Sequence, residues 1–185
     1  MPRPLSDTAR EKILLAAQGV LALEGIEGFT VDAVAKNSGV AKTTIYRHFN
    51  SGSELLIATI DCMVTPFPTP NTGSLRGDIE AFIDSVLPVI EDHSMRRTMM
   101  GIVSASVSDP ELARVHHQMM SERMMPIRTI IELAQGRGEL SPDLDLELAM
   151  DFVEGPFFFR KMIRQQPLGG AEVRQLAGFI VSGLE

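Results

Sequence analysis

The sequence predicts an all-α protein, and three observations carry that expectation. Apolar residues recur at the three-to-four spacing of helices through most of the chain. No segment keeps the strict apolar–polar alternation of a half-buried strand. Capping residues, glycines and prolines divide the chain into pieces of helical length. The pieces group into an N-terminal head of three to four helices, residues 1–64, and a C-terminal body of about five helices, residues 65–185.

Residues 1–5 read as a solvated arm, with Arg3 entering a DNA minor groove as the less favoured reading. Ser6 or Thr8 opens the first helix, predicted to about residue 23. Its buried stripe is Ile13, Ala16, Ala17, Val20 and Leu21. Gly25 and Gly28 close it and admit Phe29 to a small core. Thr30 caps a second helix with Asp32 in its first turn, where negative charge suits the helix dipole. Ser38 and Gly39 interrupt the apolar pattern, and Gly39 can take the positive φ of a sharp turn. A third short helix follows from about Ala41. With Ile45 at the centre of its buried face, Ala41 and Phe49 fall beside it, while Thr43, Thr44, Tyr46 and Arg47 point outward. Lys42 lies at the edge of that outward face and His48 near it. A fourth helix, from about Ser51 with Leu55, Leu56 and Ile60 apolar, links head to body.

The second helix, turn and third helix have the helix-turn-helix arrangement. The outward groups are hydroxyls, a phenol and a guanidinium, which donate to phosphates and read base edges in a major groove. Residues 33–53 contain no Asp or Glu but hold Lys36, Lys42 and Arg47. Singly, Lys42 would be a solvated charge and Tyr46 a half-buried phenol. Together they give a DNA-contacting set of Thr30, Lys42, Thr43, Thr44, Tyr46, Arg47 and His48, in which Thr30 also serves as a cap.

Gly39-Val40, Lys42, Thr44-Ile45-Tyr46, His48-Phe49, Ser51 and Glu54-Leu55 resemble the signature of the tetracycline-repressor (TetR) family. The resemblance covers about residues 8–60; the remaining two-thirds is similar only in layout. It implies a homodimeric transcriptional regulator, most often a repressor, whose body holds an effector. Three positions depart from the family pattern. Gly52 stands where the family usually has a phosphate-touching Lys, Ala41 where Ser is common, and Thr43 where Gly is common.

The body begins with TPFPTPNTG, residues 65–73, where three alternate prolines forbid a continuous helix. Residues 74–92 form a helix with Ile79, Phe82, Ile83, Val86 and Ile90 apolar, and Pro88 predicts a kink. The next helix is expected over 94–107. Asp109-Pro110 is a cap followed by Pro at the first helical position. The helix it opens runs to about residue 135, bent at Pro126. Asp143 or Asp145 opens a long apolar helix to about residue 166, and residues 171–184 form the last helix.

The last two helices are the expected dimer contact, because the first of them is apolar nearly all round. The interface set is Phe152, Gly155, Phe157, Phe159, Leu176 and Ile180, with Gly155 admitting a partner helix. A large monomeric core is the competing reading. Eleven methionines, many of them between residues 95 and 125, suit a surface adaptable to apolar shapes. They suggest an effector pocket of Phe82, Val86, Met99, Ile102, Val103, His116, Met120 and Met124 for a small apolar ligand; taken singly, each reads better as ordinary core. His116 and His117 point about 100° apart and do not ligate one metal together. No metal site or cofactor is expected.

Net charge is −7 over 185 residues, and most of the acidity lies after residue 64. That balance argues against indiscriminate DNA binding and for two heads on a specific palindromic operator. No apolar run is long enough to span a membrane. The one cysteine, Cys62, allows no internal disulfide, which fits a cytoplasmic protein. No nucleophile–base pair or phosphate loop is present, so an enzyme is disfavoured. The leading expectation is a homodimeric, ligand-responsive repressor bound to double-stranded DNA. The alternative is a dimeric DNA-binding regulator without a small effector, controlled by a protein partner.

Overall fold

A computed structural model describes residues 7–63 and 66–184. The expected arm with Arg3, the Ser6 cap and the residues on either side of the 64/65 boundary lie outside them. Nine α-helices and no strand occur among the described residues. They pack as two compact units. The first comprises Met1–Thr65 and His93–Gln118, the second Pro66–Asp92 and Met119–Glu185. The sequence division differs from this packing in one respect: residues 93–118, read as body, pack with the N-terminal helices.

In the first unit, α1 (Asp7–Gly28), α2 (Val31–Ser38), α3 (Lys42–His48) and α4 (Gly52–Met63) close on one core. Ile13, Leu14, Ala17 and Val20 of α1 meet Val34, Ile45, Phe49 and Leu55, with Phe29, Val31 and Ala58 around them. The i, i+1, i+4, i+7 spacing along α1 puts its four on one side. Gly25 breaks the helical geometry of α1 with φ 70° and ψ −172°, a conformation that suits glycine. Helix α6 (His93–Ser106) sits at this break. Arg97 donates to the Ala22 carbonyl at 3.1 Å, and the Ser94 hydroxyl donates to it at 3.4 Å. A helix end needs such donors for its carbonyls. Gly101 faces Ile26 so closely that a Cβ there would lie 3.3 Å from it. These contacts are why α6 belongs to the first unit.

The second unit is built on α5 (Leu75–Glu91), the later part of α7 (Pro110–Gly136), α8 (Leu146–Phe158) and α9 (Gly170–Leu184). Its core comprises Ile79, Phe82, Ile83, Ile127, Ile130, Ile131, Val153, Phe157, Val173 and Ile180. Pro88, Pro126 and Pro156 each lie inside a helix. The predicted long helix to residue 166 is shorter than expected. Beyond Pro156, which has no N–H for the ladder, the backbone widens to a π-helical turn over Phe159–Ile163. Gln165 then stops it with φ 53°.

The start of α5 is tied down by charge. Asp78 is fully buried; its carboxylate accepts from the Thr72 backbone N–H and hydroxyl at 2.5 and 2.8 Å and from Arg137 at 3.0 Å. Glu139 accepts from the Leu75 backbone N–H at 2.8 Å and pairs with Arg137. These bonds fix the loop after residue 66 and the end of α7 to one helix terminus. No helix among the described residues is long and apolar enough to cross a membrane.

Candidate nucleic-acid interface

The turn between α2 and α3 is built from its own residues. Thr30 is extended, and its Oγ1 accepts from the Ala33 N–H at 3.1 Å, capping α2. Gly39 is left-handed, with φ 66° and ψ 14°, and its N–H bonds the Ala35 carbonyl at 2.9 Å. Ser38 is buried, and its Oγ accepts from the Val40 N–H at 3.1 Å. The chain thus reverses with the Gly39 and Val40 N–H groups both bonded within the turn.

Ile45 anchors α3, being 1% exposed, with Phe49 buried one turn on. Lys42, Thr43 and Arg47 are exposed, and Tyr46 is 51% exposed. Thr44 and His48 are half-buried at the flanks of this face, and the His48 ring leans on Phe49 at 6.3 Å between centroids. One helix-wheel assignment fails: Ala41 is exposed rather than beside Ile45. Ala41 is the N-cap, extended at φ −61° and ψ 142°, so the 100° step does not apply to it. Lys42 pairs with Asp32 of α2, both well exposed. A surface pair of this kind contributes about 0–1 kcal/mol and does not withhold Lys42 from a phosphate.

Two residues beside this face were not singled out from sequence. Arg10 of α1 lies over the Phe49 ring at 5.5 Å. Asn50 is exposed just past α3, where its backbone and side-chain N–H groups donate to Glu54 at 2.8 Å. Arg10 could have been found from its position three residues before Ile13, at the margin of the buried stripe.

The residues proposed for an effector pocket divide between the units. Phe82, Val86, Met120 and Met124 belong to the second, with Phe82, Val86 and Met124 buried. Met99, Ile102, Val103 and His116 belong to the first; Ile102 is buried, and Val103 is exposed. The dimer set also divides. Phe157, 2% exposed, and Ile180 turn into the second unit's own core, and Phe82 meets Phe157 at 6.4 Å. Phe152, Gly155 and Phe159 face outward, and Leu176 is half-buried. Leu148, Ile163 and Phe179 extend the outward apolar surface and were not part of the sequence set. Phe152 lies against α9 where Gly183 has no side chain; a Cβ there would be 2.7 Å from the ring.

A short helix held by one buried isoleucine, with cations, hydroxyls and a phenol on its free side, is the recognition element of a helix-turn-helix DNA-binding protein. Residues 13–59 match the family model for bacterial regulatory proteins of the tetR family, and residues 69–180 match the tetracyclin repressor-like C-terminal domain. The chain belongs to the TetR family and is a DNA-binding transcriptional regulator, not an enzyme. It is similar to the uncharacterized HTH-type transcriptional regulator YdeS of Bacillus subtilis, 25% identical over 185 residues, covering 99% of this chain and 93% of YdeS. Among solved structures it resembles the TetR family transcription regulator SCO0332, with TM-score 0.70 and 25% identity over 97% of this chain and 100% of that one. It also resembles Bacillus subtilis FadR in complex with stearoyl-CoA, with TM-score 0.68 and 20% identity over 95% of this chain and 100% of that one.

Proposed function

We propose that the protein is a homodimeric repressor that binds a palindromic operator and is released by a small apolar effector. The observation that carries the reading is the free side of α3, where Lys42, Thr43, Tyr46 and Arg47 are all exposed around a buried Ile45. Each head lays α3 in a major groove, with Thr44, His48 and the Thr30 cap as flanking contacts. Dimerisation is supported by the outward Leu148, Phe152, Phe159, Ile163 and Phe179. Aromatic residues of this size on the outside of adjoining helices mark a surface to be covered. Two-fold pairing gives the two half-site contacts that a single head is too weak to supply. The effector acts by preferring a dimer whose heads do not match the half-site spacing; each 1.4 kcal/mol of preference shifts the population about tenfold.

The test is a gel shift with DNA from the promoter of the protein's own gene. A retarded band at low salt, lost in an excess of the same DNA but not of random DNA, is expected. Absence of any retarded band with clean dimer contradicts the reading. Release by no small molecule, with DNA binding intact, would favour control by a protein partner instead.

A further inference from the structure

Arg10 is a cation without a carboxylate partner, in a chain with 24 acids against 17 lysines and arginines. In the second unit Arg76, Arg128, Arg137 and Lys161 each pair with a carboxylate. Lys42 of the head pairs with Asp32. Arg10, in the first turn of α1, is exposed and has no such pair among the described residues. Arg47, the outward arginine of α3, is alike in this respect. The guanidinium carbon of Arg10 lies instead 5.5 Å from the centroid of the Phe49 ring. Phe49 is the C-cap of α3 and is 2% exposed.

That seat decides what the side chain can do. A guanidinium held over an aromatic face is attracted by the ring quadrupole and keeps its five N–H donors unused. Donors in that planar fork take a phosphate through two parallel hydrogen bonds. Phe49 is itself packed with Ile13, Ile45 and Leu55, so one core sets both the rotation of α3 and the place of the cation.

The place matters because of the width of the groove. A major groove is about 12 Å across, and a helix with its side chains is about 10–12 Å thick. A helix laid in it fills it, so groups bordering that helix meet phosphates on the rims. Arg10 borders the C-terminal end of α3, and the His48 ring leans on the same Phe49 at 6.3 Å. The acid nearest Phe49 in sequence, Glu54, is occupied: its carboxylate accepts two N–H groups of Asn50 at 2.8 Å.

We propose that Arg10 is a phosphate contact, made from α1, that fixes how α3 sits in the groove. The inference rests on the reading of α3 as the helix that meets DNA and adds a contact outside the helix-turn-helix. It supplies affinity without sequence preference, since the phosphate is the same at every base pair.

The test is fluorescence anisotropy of the full chain over a salt series with two duplexes of one length. One is the promoter of the protein's own gene, the other a random sequence. Arg10→Gln removes the charge; Arg10→Met removes it and keeps an apolar cover on Phe49. Both should bind promoter and random DNA about tenfold more weakly, the loss expected of a charge-assisted pair. In both, the slope of log K against log salt should become shallower by about 0.9. Arg10→Lys keeps the charge and should keep the wild-type slope. Melting temperature separates contact from packing: Arg10→Met should melt with the wild type and still show the shallower slope. A wild-type slope in folded Arg10→Gln or Arg10→Met overturns the proposal, as does a loss confined to the promoter duplex. If Arg10→Gln does not fold, equal slopes in Arg10→Met and Arg10→Lys are equally fatal. A wild type that binds neither duplex at low salt sinks the regulator reading. Wild-type binding with a slope that these variants leave unmoved sinks the role of Arg10 alone.

Discussion

At the scale of single residues, Gly52 is the position where the family resemblance leads one to expect a phosphate-touching lysine. A Cβ added there would meet Val31 Cγ2 at 3.5 Å, an ordinary contact, so packing does not require glycine. Gly52→Lys should therefore fold normally and add one phosphate contact. Its binding constant should rise, and the slope of log K against log salt should steepen by about one, in an anisotropy titration over a salt series. An unchanged slope would place residue 52 away from the backbone. The outward residues of α3 were legible in the sequence because one apolar residue in a seven-residue helix fixes its rotation. Ala41 was misread because it is the cap and not a turn of the helix. Arg10 was legible only in part: its place three residues before Ile13 puts it at the margin of the buried stripe, but its partner Phe49 is remote in sequence and no local pattern signals that pair.

At the scale of elements, the start of α5 depends on a buried charge. Asp78→Ala removes the acceptor for Thr72 and Arg137, and breaking such a pair costs about 3–5 kcal/mol. A denaturant titration should find that loss at neutral pH; a loss under about 1 kcal/mol would show the network to be dispensable. Glu139 makes part of this stability pH-dependent. The Leu75 N–H first, and then Arg137, hold its carboxylate below the ordinary glutamate range. A depressed carboxylate stabilises the fold above its unfolded pKa and loses that contribution as pH falls through the folded one. Glu139→Gln should be less stable than wild type near neutrality and converge with it in acid, as read from melting temperature against pH. The cap that opens α2 was legible as Thr30, whereas Ser74, which caps α5, stood only as the predicted first residue of that helix. The π-helical turn after Phe158 was not, since its apolar sequence continues a helical pattern and only the ladder's register changes.

At the scale of the whole molecule, the apolar surface of α8 and α9 carries the dimer proposal. Phe152→Glu combined with Phe179→Glu places two charges on that surface without touching the Phe157 and Ile180 core. Light scattering after gel filtration should show a monomer, and operator binding should collapse with it. A dimer of unchanged mass would locate the interface elsewhere. The sequence told which helices are apolar on several sides but not which aromatic faces out, because that depends on the neighbour each one meets. Phe157 meets Phe82, whereas Phe179 has an outward position on α9. The place of residues 93–118 was likewise illegible: it is set by Gly25, whose positive φ breaks α1, and by Gly101, where a Cβ would crowd Ile26.

The most direct measurement compares wild type with Thr43→Ala, Tyr46→Ala and Arg47→Ala in fluorescence anisotropy with the protein's own promoter. Each should lose about 1–3 kcal/mol of specific binding, while melting temperature and helicity stay at wild-type values. Wild-type affinity in all three folded variants would contradict the account, for α3 would then not be the helix that meets DNA.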